Sequence, residues 1–206
     1  MNDETGQGLS RKKAAEQALI NAAERIFARE GIETASLRAI ATAAGSANNY
    51  AVQYHFGDRE GLVEALFESR LAEVEARRAI LRAAMPEPAD CRALLDLIMR
   101  PLIEQTDAEG RHSYAAFLLG LRRSPQGFLS RRQRSDKAPI ANWANEQLAA
   151  LFPHHSEDAF AFRMDLISAM FLDAIDRFDA GELRAFSRDA LLEKLITLAA
   201  AMLQPE

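Results

Sequence analysis

The stretch SLRAIATAAGSANNYAVQYHFGDREGL, residues 36–62, contains two short apolar segments separated by glycine, and it decides how the chain is interpreted. The first segment covers residues 37–44 and is interrupted by Gly45. The second runs from about residue 47 to residue 54, and Gly57 follows it. Two short helices joined at a glycine turn form a helix-turn-helix pattern. The pattern by itself is weak, because short helices joined by glycine are common.

Longer apolar stripes lie on either side of this stretch. Upstream, apolar residues recur over residues 15–27 at the three- and four-residue spacing of one helix face, and Gly31 can end that helix in the left-handed conformation. Downstream, Asp58 can cap a long helix whose stripe covers residues 62–74. Residues 1–10 show no periodicity, which predicts a mobile tail.

The rest of the chain is helical in pattern as well, without an internal repeat or extended β-alternation. Five further helices are predicted, over about residues 90–103, 110–123, 128–151, 156–181 and 187–203, and Asp90 and Ser156 are placed to cap the first and the fourth of them. Pro101 and Pro139 are expected to bend two of them. We therefore predict an all-α fold of about nine helices. Residues 12–72 form a three-helix domain continued by a long fourth helix, and residues 73–206 form a second helical domain.

Composition excludes several classes of protein. The chain has 206 residues, of which 49% are hydrophobic, and its formal net charge is −5. The hydrophobic fraction can bury a core, which excludes a disordered or low-complexity chain. The acidic total excludes nucleic-acid binding through bulk positive charge. Cys91 is the only cysteine, the first residues are polar, and no apolar run is long enough to span a bilayer. These features predict a cytoplasmic protein without membrane contact.

Three motifs and a turn occur in a fixed order in the N-terminal third. AAERIFAREG at residues 22–31 is followed by SLRAIA at residues 36–41, by the turn at Gly45 and by YHFGDREGL at residues 54–62. In this order the residues closely resemble the DNA-binding domain of the TetR family of bacterial transcriptional regulators. The resemblance covers about residues 12–72, and beyond it only the helical architecture is similar. The turn and helix after the glycine are one residue longer than is usual in that family.

The resemblance implies sequence-specific binding of double-stranded operator DNA, as a repressor that a small ligand releases. Asn and Gln side chains can bond N6 and N7 of adenine together, and aromatic groups can contact the thymine methyl. We therefore expect base contacts from Asn48, Asn49, Tyr50 and Gln53, with Ser46 beside them. Capping of the helix by an asparagine and packing of Tyr50 on the first helix are alternative interpretations.

The resemblance also implies contacts to DNA phosphates. The residues concerned are Ser36, Arg38, Tyr54, His55 and Arg59. Residues 11–13 form a basic triplet that either reaches DNA or is a solvated segment. Residues 1–60 carry seven basic and eight acidic side chains, and no Lys or Arg lies between Arg38 and Arg59. One copy is therefore expected to bind DNA weakly, whereas two copies would double the phosphate contacts, which predicts a homodimer.

The last two predicted helices carry the strongest apolar stripes. The final helix has two such stripes, and one would suffice to pack it on its own domain. We therefore expect the other to face a two-fold partner and close a four-helix bundle. The predicted interface consists of Phe160, Ile167, Phe171, Ile175, Leu191, Leu195, Leu198 and Met202. A fully buried final helix in a monomer is the alternative.

In the resembling family the middle helices enclose a pocket for a small molecule, and here we expect an apolar or amphipathic ligand. The residues that this places around the pocket are Met99, Leu102, Ile103, His112, Phe117, Leu121, Arg122, Phe128 and Trp143. The same residue types at helical spacing are typical of a packed core, which is the alternative interpretation.

The sequence contains no glycine-rich phosphate loop and no serine-nucleophile motif, so we predict neither an enzyme nor a cofactor. His154 and His155 precede two acidic residues, but such a group at a helix start is typical of a solvated turn, and no metal site is predicted. The alternative function is a helical interaction or ligand-binding protein whose helix-turn-helix no longer binds DNA. The absence of basic residues from the recognition segment favours that alternative.

Overall fold

The computed structural model describes residues 3–124 and 137–205, with side chains from residue 10 onward. Within these residues the protein consists of helices and turns and contains no β-strand, which confirms the all-α prediction. The helices are α1 (Asp3–Glu30), α2 (Leu37–Ala43), α3 (Ala51–Phe56), α4 (Arg59–Ala83), α5 (Cys91–Glu104), α6 (Ser113–Arg123), α7 (Pro139–Leu151), α8 (Glu157–Asp179) and α9 (Arg188–Met202). None of these described helices is long and apolar enough to cross a membrane.

The backbone divides into two compact units, Met1–Arg70 and Leu71–Glu206. The division falls within α4, so that residues 59–70 of this helix belong to the first unit and residues 71–83 to the second. In the second unit, α5 packs against α7 and α9, while α6 packs against α8.

Side-chain caps explain where several helices begin. An oxygen of the capping residue accepts a hydrogen bond from the backbone N–H three positions on, which satisfies a donor that the helix leaves unpaired. Such bonds cap the N-termini of α2, α4, α5, α8 and α9. The capping residues, in that order, are Ser36 (3.3 Å), Asp58 (2.8 Å), Asp90 (2.8 Å), Ser156 (3.3 Å) and Ser187 (3.2 Å). The caps predicted at Asp58, Asp90 and Ser156 are thereby confirmed. Gly31 follows α1 with φ of 85°, as its predicted role in ending that helix requires.

Helix α1 begins earlier than the sequence predicts. The expected mobile tail over residues 1–10 is wrong for the described part, because the backbone is helical from Asp3. Starting a helix orders several residues for one hydrogen bond, whereas extending it orders one residue for each bond. The apolar stripe starts the helix, and the polar residues ahead of it extend the helix at low cost.

Helix α3 begins later than predicted. The expected start near residue 47 is wrong, because residues 46–50 form a turn. Ser46 Oγ accepts a hydrogen bond from the Asn48 N–H (3.1 Å), and Asn48 Oδ1 accepts one from the Tyr50 N–H (2.9 Å). Side chains that bond to nearby backbone in this way compete with helix formation. The lengthened segment after Gly45 thus forms a longer turn and a short helix.

Helix α7 begins at Pro139, where the fixed φ of proline suits the first helical position and no N–H is needed. The prediction of a helix over residues 128–151 is confirmed from residue 139 onward, and within the described residues Pro139 begins the helix rather than bending it. Residues 125–136 lie outside the described part of the chain.

Candidate functional site

Tyr50, Gln53 and Tyr54 form an exposed surface on α3 and the turn before it. Tyr50 is 61% exposed and Tyr54 is 74% exposed, and Gln53 is exposed between them. On the opposite side of the helix Ala51 and Val52 are buried, which fixes the orientation of α3. The alternative of Tyr50 packing on α1 is therefore wrong. Exposed aromatic groups gathered on one face are typical of a binding surface.

The two asparagines lie in the turn rather than on α3. The amide oxygen of Asn48 accepts a hydrogen bond from the Tyr50 N–H within the turn before α3 and is therefore already engaged, although no side chain caps α3 itself. Ser46 is half-buried, and its hydroxyl bonds to the Asn48 backbone. Asn49 is exposed, and its side chain has no hydrogen-bond partner in residues 10–124 or 137–205. Asn49 and Gln53 are thus the amide groups that remain available to bases.

His55 and Arg59 bond to their own unit. The His55 Nδ1 atom lies 3.3 Å from Glu16 Oε1, and the imidazole is only 10% exposed. Arg59 Nη1 donates to the carbonyl oxygen of Ile32. These contacts join α3 to α1 and join the start of α4 to the turn after α1. Both residues, expected at DNA phosphates, therefore already have partners inside the protein.

Ser36, Arg38 and Tyr54 have exposed side chains. The Ser36 hydroxyl caps α2, where it can also meet an incoming anion. The Arg38 guanidinium, on the same helix, forms no hydrogen bond or ion pair with any described residue. In the basic triplet, Lys12 lies 3.9 Å from Glu16. The Arg38 guanidinium is therefore open to a phosphate.

The connection between α3 and α4 depends on a glycine that the sequence analysis did not single out. A Cβ atom at Gly61 would lie 2.1 Å from the carbonyl oxygen of Phe56, closer than any side chain can approach backbone. Gly57 has φ of 82°, a left-handed conformation that favours glycine. A glycine in the first turn of a helix, three positions after an aspartate cap, is the sequence signal for Gly61.

The second unit contains an open cleft of about 890 Å³. It is lined by the end of α4, the connection over residues 84–90, the start of α5 and one side of α7. Among the predicted pocket residues that the structure describes, Trp143 alone lines it. The guanidinium carbon of Arg82 lies 3.9 Å from the centroid of the Trp143 ring, a cation–π contact at the edge of the cleft.

The other predicted pocket residues lie elsewhere in the second unit. Those buried in its interior are Met99, Ile103, His112, Phe117 and Leu121, and Leu102 is half-buried. Arg122 forms a two-point pair with Asp165 at 2.7 and 2.9 Å. Phe128 lies outside the described residues. The burial of these side chains favours the core alternative over the pocket expectation.

His112 joins three segments of the second unit. Its Nδ1 atom lies 2.7 Å from Asp179 Oδ1 at the end of α8, and its Nε2 atom lies 3.0 Å from the carbonyl oxygen of Ile103 in α5. The imidazole is 1% exposed. Both ring nitrogens of His112, which was predicted to contact a ligand, thus have hydrogen-bond partners within the protein.

The predicted dimer interface is also corrected. Five of its residues are buried in their own unit, namely Ile167, Phe171, Ile175, Leu191 and Leu195. Phe160 and Met202 are half-buried, and Leu198 is 44% exposed. The most regular apolar stripe of each helix is therefore turned inward, where burial removes the most apolar surface from water.

The apolar side chains that do reach the surface of α8 were not among the predicted ones. Phe162 is 64% exposed and Leu166 is 42% exposed. The half-buried Met170 continues the four-residue spacing of these two side chains, so that they form a second apolar stripe beside the predicted interface residues of α8. This second stripe was the sequence signal that could have indicated the exposed apolar face.

No group of three or more His, Cys, Asp or Glu side chains in residues 10–124 and 137–205 is placed to hold a metal ion. The ring centroids of the neighbouring His154 and His155 lie 4.1 Å apart, and His155 Nε2 lies 3.0 Å from the carbonyl oxygen of Leu203.

The first unit has the construction of a helix-turn-helix regulator, in which a short exposed helix is held by two others and joined to its neighbour by a glycine turn. Residues 19–66 match the model of the family described as "Bacterial regulatory proteins, tetR family". The match contains α2, α3 and the turn between them.

Solved structures extend this likeness along the chain. A candidate tetR-family transcription regulator from Shewanella sp. PV-4 is 20% identical, with 90% of this chain and 95% of that chain covered and a TM-score of 0.64. A TetR-like transcriptional regulator from Rhodococcus sp. RHA1 is 18% identical, with 93% of this chain and 97% of that chain covered and a TM-score of 0.61. The fatty acid degradation regulator FadR from Bacillus halodurans is 17% identical, with 90% of this chain and 94% of that chain covered and a TM-score of 0.56. At such identities the likeness shows the fold.

No curated protein matches the chain in sequence. Residues 19–66 thus form a helix-turn-helix DNA-binding domain of the TetR type, and the chain as a whole has the fold of TetR-family regulators. The family whose model matches consists of transcriptional regulators, not of enzymes.

Proposed function

We propose that the protein binds a specific operator in double-stranded DNA and represses transcription until a small molecule releases it. The observation that carries the proposal is the exposed surface of Tyr50, Gln53 and Tyr54 beside the unpartnered amide of Asn49. Amide groups can bond adenine at two points, and aromatic groups can contact thymine methyls. Ser36, Arg38 and Tyr54 are the proposed phosphate contacts, because their side chains remain exposed.

A mobility-shift assay on DNA flanking the protein's own coding region tests this proposal. The full chain is titrated against that DNA and against a scrambled duplex of equal length. We expect a retarded complex that survives excess scrambled competitor, and we expect Asn49→Ala with Gln53→Ala to reduce this preference. Retardation of both duplexes at the same concentration would contradict specific binding.

We further propose a homodimer formed through α8 and α9. Phe162, Leu166 and Leu198 expose large apolar side chains on these two helices. The helices are neighbours, since Arg163 Nη1 on α8 donates to the Met202 carbonyl of α9 at 2.9 Å. A second copy would cover these apolar groups and supply the second set of phosphate contacts that a weakly basic DNA-binding unit needs.

We propose that the effector binds in the cleft between α4, α5 and α7. Buried polar contacts join these helices beside it: Glu75 Oε2 on α4 accepts from the Ile140 N–H of α7 at 2.8 Å, and Glu75 Oε1 pairs with Arg78 at 2.8 Å. Arg78 in turn donates to the Ile98 carbonyl of α5 at 2.9 Å. A ligand that fits one arrangement of these helices better than another would shift the position of α4, and with it the DNA-binding population.

A second candidate function is a ligand-binding protein whose helix-turn-helix no longer binds DNA. It is favoured by one observation, the absence of Lys and Arg between Arg38 and Arg59. The two functions differ in the mobility-shift result described above. A regulator that acts on the bacterial chromosome works in the cytoplasm, and we propose that location for the protein.

A further inference from the structure

The guanidinium of Arg82 is positioned on the cleft by an aromatic ring rather than by a carboxylate. Its central carbon lies 3.9 Å from the centroid of Trp143. Within residues 10–124 and 137–205 this side chain has no ion pair and no hydrogen bond. A planar guanidinium that contacts an aromatic ring face-on keeps the N–H groups along its edge free to bond elsewhere. At the cleft, the donors of this partly immobilised guanidinium are thus not used by any described residue.

The remaining walls of the cleft are mainly apolar. Ala79 and Ala83 line it from α4, Leu94 lines it from α5, and Ile140 lines it from α7. Its volume of about 890 Å³ lies in the ordinary range for a small-molecule site. Among the described residues that line the cleft, the charged group besides Arg82 is Glu87, on the connection between α4 and α5, and Gln147 adds a neutral polar side chain. From these residues an occupant meets mainly apolar walls, with one cation and one anion at their margin.

We propose that this cleft takes an organic carboxylate with an apolar body, and that the free edge of Arg82 binds the carboxylate. The guanidinium fork matches the two oxygens of a carboxylate, whereas a hydroxyl would use only part of it. The apolar body lies along the walls from Leu94 to Ile140. The assignment rests on the proposed effector role of the cleft, and it names the chemical class of the effector.

An organic cation is the competing occupant, because Trp143 and Glu87 are both present. The ring contact that a cation would use is already made by Arg82, so a cation would have to displace it or lie beside a like charge. A carboxylate needs no such displacement. Glu87 repels the carboxylate from the other side of the cleft and thereby lowers its affinity.

Three probes with the same eight-carbon chain separate these possibilities: octanoate, octan-1-ol and octyltrimethylammonium. Binding to the full chain is measured by isothermal titration calorimetry. Fluorescence of Trp143, the only tryptophan of the chain, reports whether the probe reaches the cleft. We expect octanoate to bind most tightly and to change the fluorescence. Tighter binding of octyltrimethylammonium, or no binding of octanoate, would overturn the assignment.

A matched pair of charge-removing variants tests the role of Arg82. Both side chains are exposed, so that Arg82→Gln and Glu87→Gln are expected to fold, which circular dichroism checks. Arg82→Gln should weaken octanoate binding about tenfold and leave octan-1-ol unchanged, whereas Glu87→Gln should strengthen octanoate binding. Equal octanoate affinity in the wild type and Arg82→Gln would refute the assignment, as would weaker binding by Glu87→Gln.

The mobility shift without ligand distinguishes this inference from the proposed function. A chain that binds its DNA but no octanoate contradicts the effector class and leaves the DNA-binding proposal intact. A chain that binds octanoate through Arg82 but has no affinity for DNA supports the effector class and contradicts the regulator proposal.

Discussion

At the scale of single residues, a side chain's local hydrogen bonds decide whether it can meet DNA. Residue types alone favour Asn48, Asn49 and Gln53 equally, since all carry an amide. All three are exposed, but the structure separates them, because the Asn48 amide oxygen accepts from the Tyr50 N–H while the other two amides bond to no described residue. The engagement of His55 by Glu16 could not be predicted, since it joins residues 39 positions apart in sequence.

Replacement of Gln53 by alanine is expected to reduce sequence discrimination. The side chain is exposed on α3, so the variant keeps the fold and loses a base contact. Affinity for the operator should fall by about 1–3 kcal/mol, with relaxed preference at one base pair. Titrations of operator variants changed at single positions measure this. Unchanged preference at every position would contradict base contact by Gln53.

Arg38→Ala is the matched contrast. Loss of a phosphate contact should weaken binding to all sequences alike and reduce the salt slope by about 1. Arg59→Ala serves this purpose less well, because Arg59 also bonds to the Ile32 carbonyl and its loss should lower thermal stability. A change of sequence preference in Arg38→Ala would be inconsistent with a phosphate role.

At the scale of elements, helix ends were predictable wherever a single residue specifies them. Asp90 and Ser156 were expected as caps and are caps, because a short side chain ahead of an apolar stripe has few other uses. The start of α3 was not predictable in the same way. It depends on hydrogen bonds among Ser46, Asn48 and Tyr50, and these residue types are also tolerated within a helix.

Gly61→Ala is expected to disturb the junction between α3 and α4. The added methyl would meet the Phe56 carbonyl oxygen at 2.1 Å, so the backbone of α3 must move. We expect a loss of about 1–3 kcal/mol in the free energy of unfolding, measured by chemical denaturation. Glu60→Ala, one position earlier and exposed, is the control and should change the stability far less. Equal stability of Gly61→Ala and the wild type would contradict the close approach of residue 61 to the Phe56 carbonyl oxygen.

An ion pair between α4 and α5 makes stability depend on pH. Arg77 Nε and Nη2 donate to Glu104 at 2.7 and 3.0 Å, and these hydrogen bonds lower the pKa of Glu104 from its ordinary value. The stabilisation is therefore present above the ordinary glutamate pKa and is lost as the pH falls through the lowered one. Carboxyl titration by NMR should show the low pKa, and Arg77→Gln should raise it. An unchanged titration in the variant would exclude Arg77 as the cause.

At the scale of the whole molecule, the fold class followed from helical periodicity and from the ordered motifs of residues 22–62. The same sequence patterns did not predict which faces of α8 and α9 are exposed and open to a partner. Each helix has more apolar residues than one stripe, and only packing decides which of them is buried. Ile167 and Leu195 face the core, whereas Phe162 and Leu166 are exposed. The cleft was missed for a related reason, since alanines and prolines give little signal for a binding site.

Leu166→Glu together with Leu198→Glu is expected to give monomers. Both side chains are more than 40% exposed, so that charge there should leave the fold intact while opposing an apolar contact between copies. Sedimentation at micromolar concentration measures the change, and operator binding should be lost with it. Leu195→Glu is the contrasting variant, because Leu195 is 3% exposed and a buried charge should unfold the domain. A wild type that sediments as a monomer would refute the proposed interface.

Selection of duplexes from a random DNA pool by the full chain tests the central proposal most directly, since it presupposes no operator. Two-fold symmetry predicts an enriched site of two inverted half-sites, with centres about one helical turn, ~34–36 Å, or a multiple of it apart. The Gln53→Ala variant should enrich the same arrangement with one position relaxed. A pool that stays random after repeated selection at low salt would contradict sequence-specific DNA binding and favour a protein whose helix-turn-helix has lost that role.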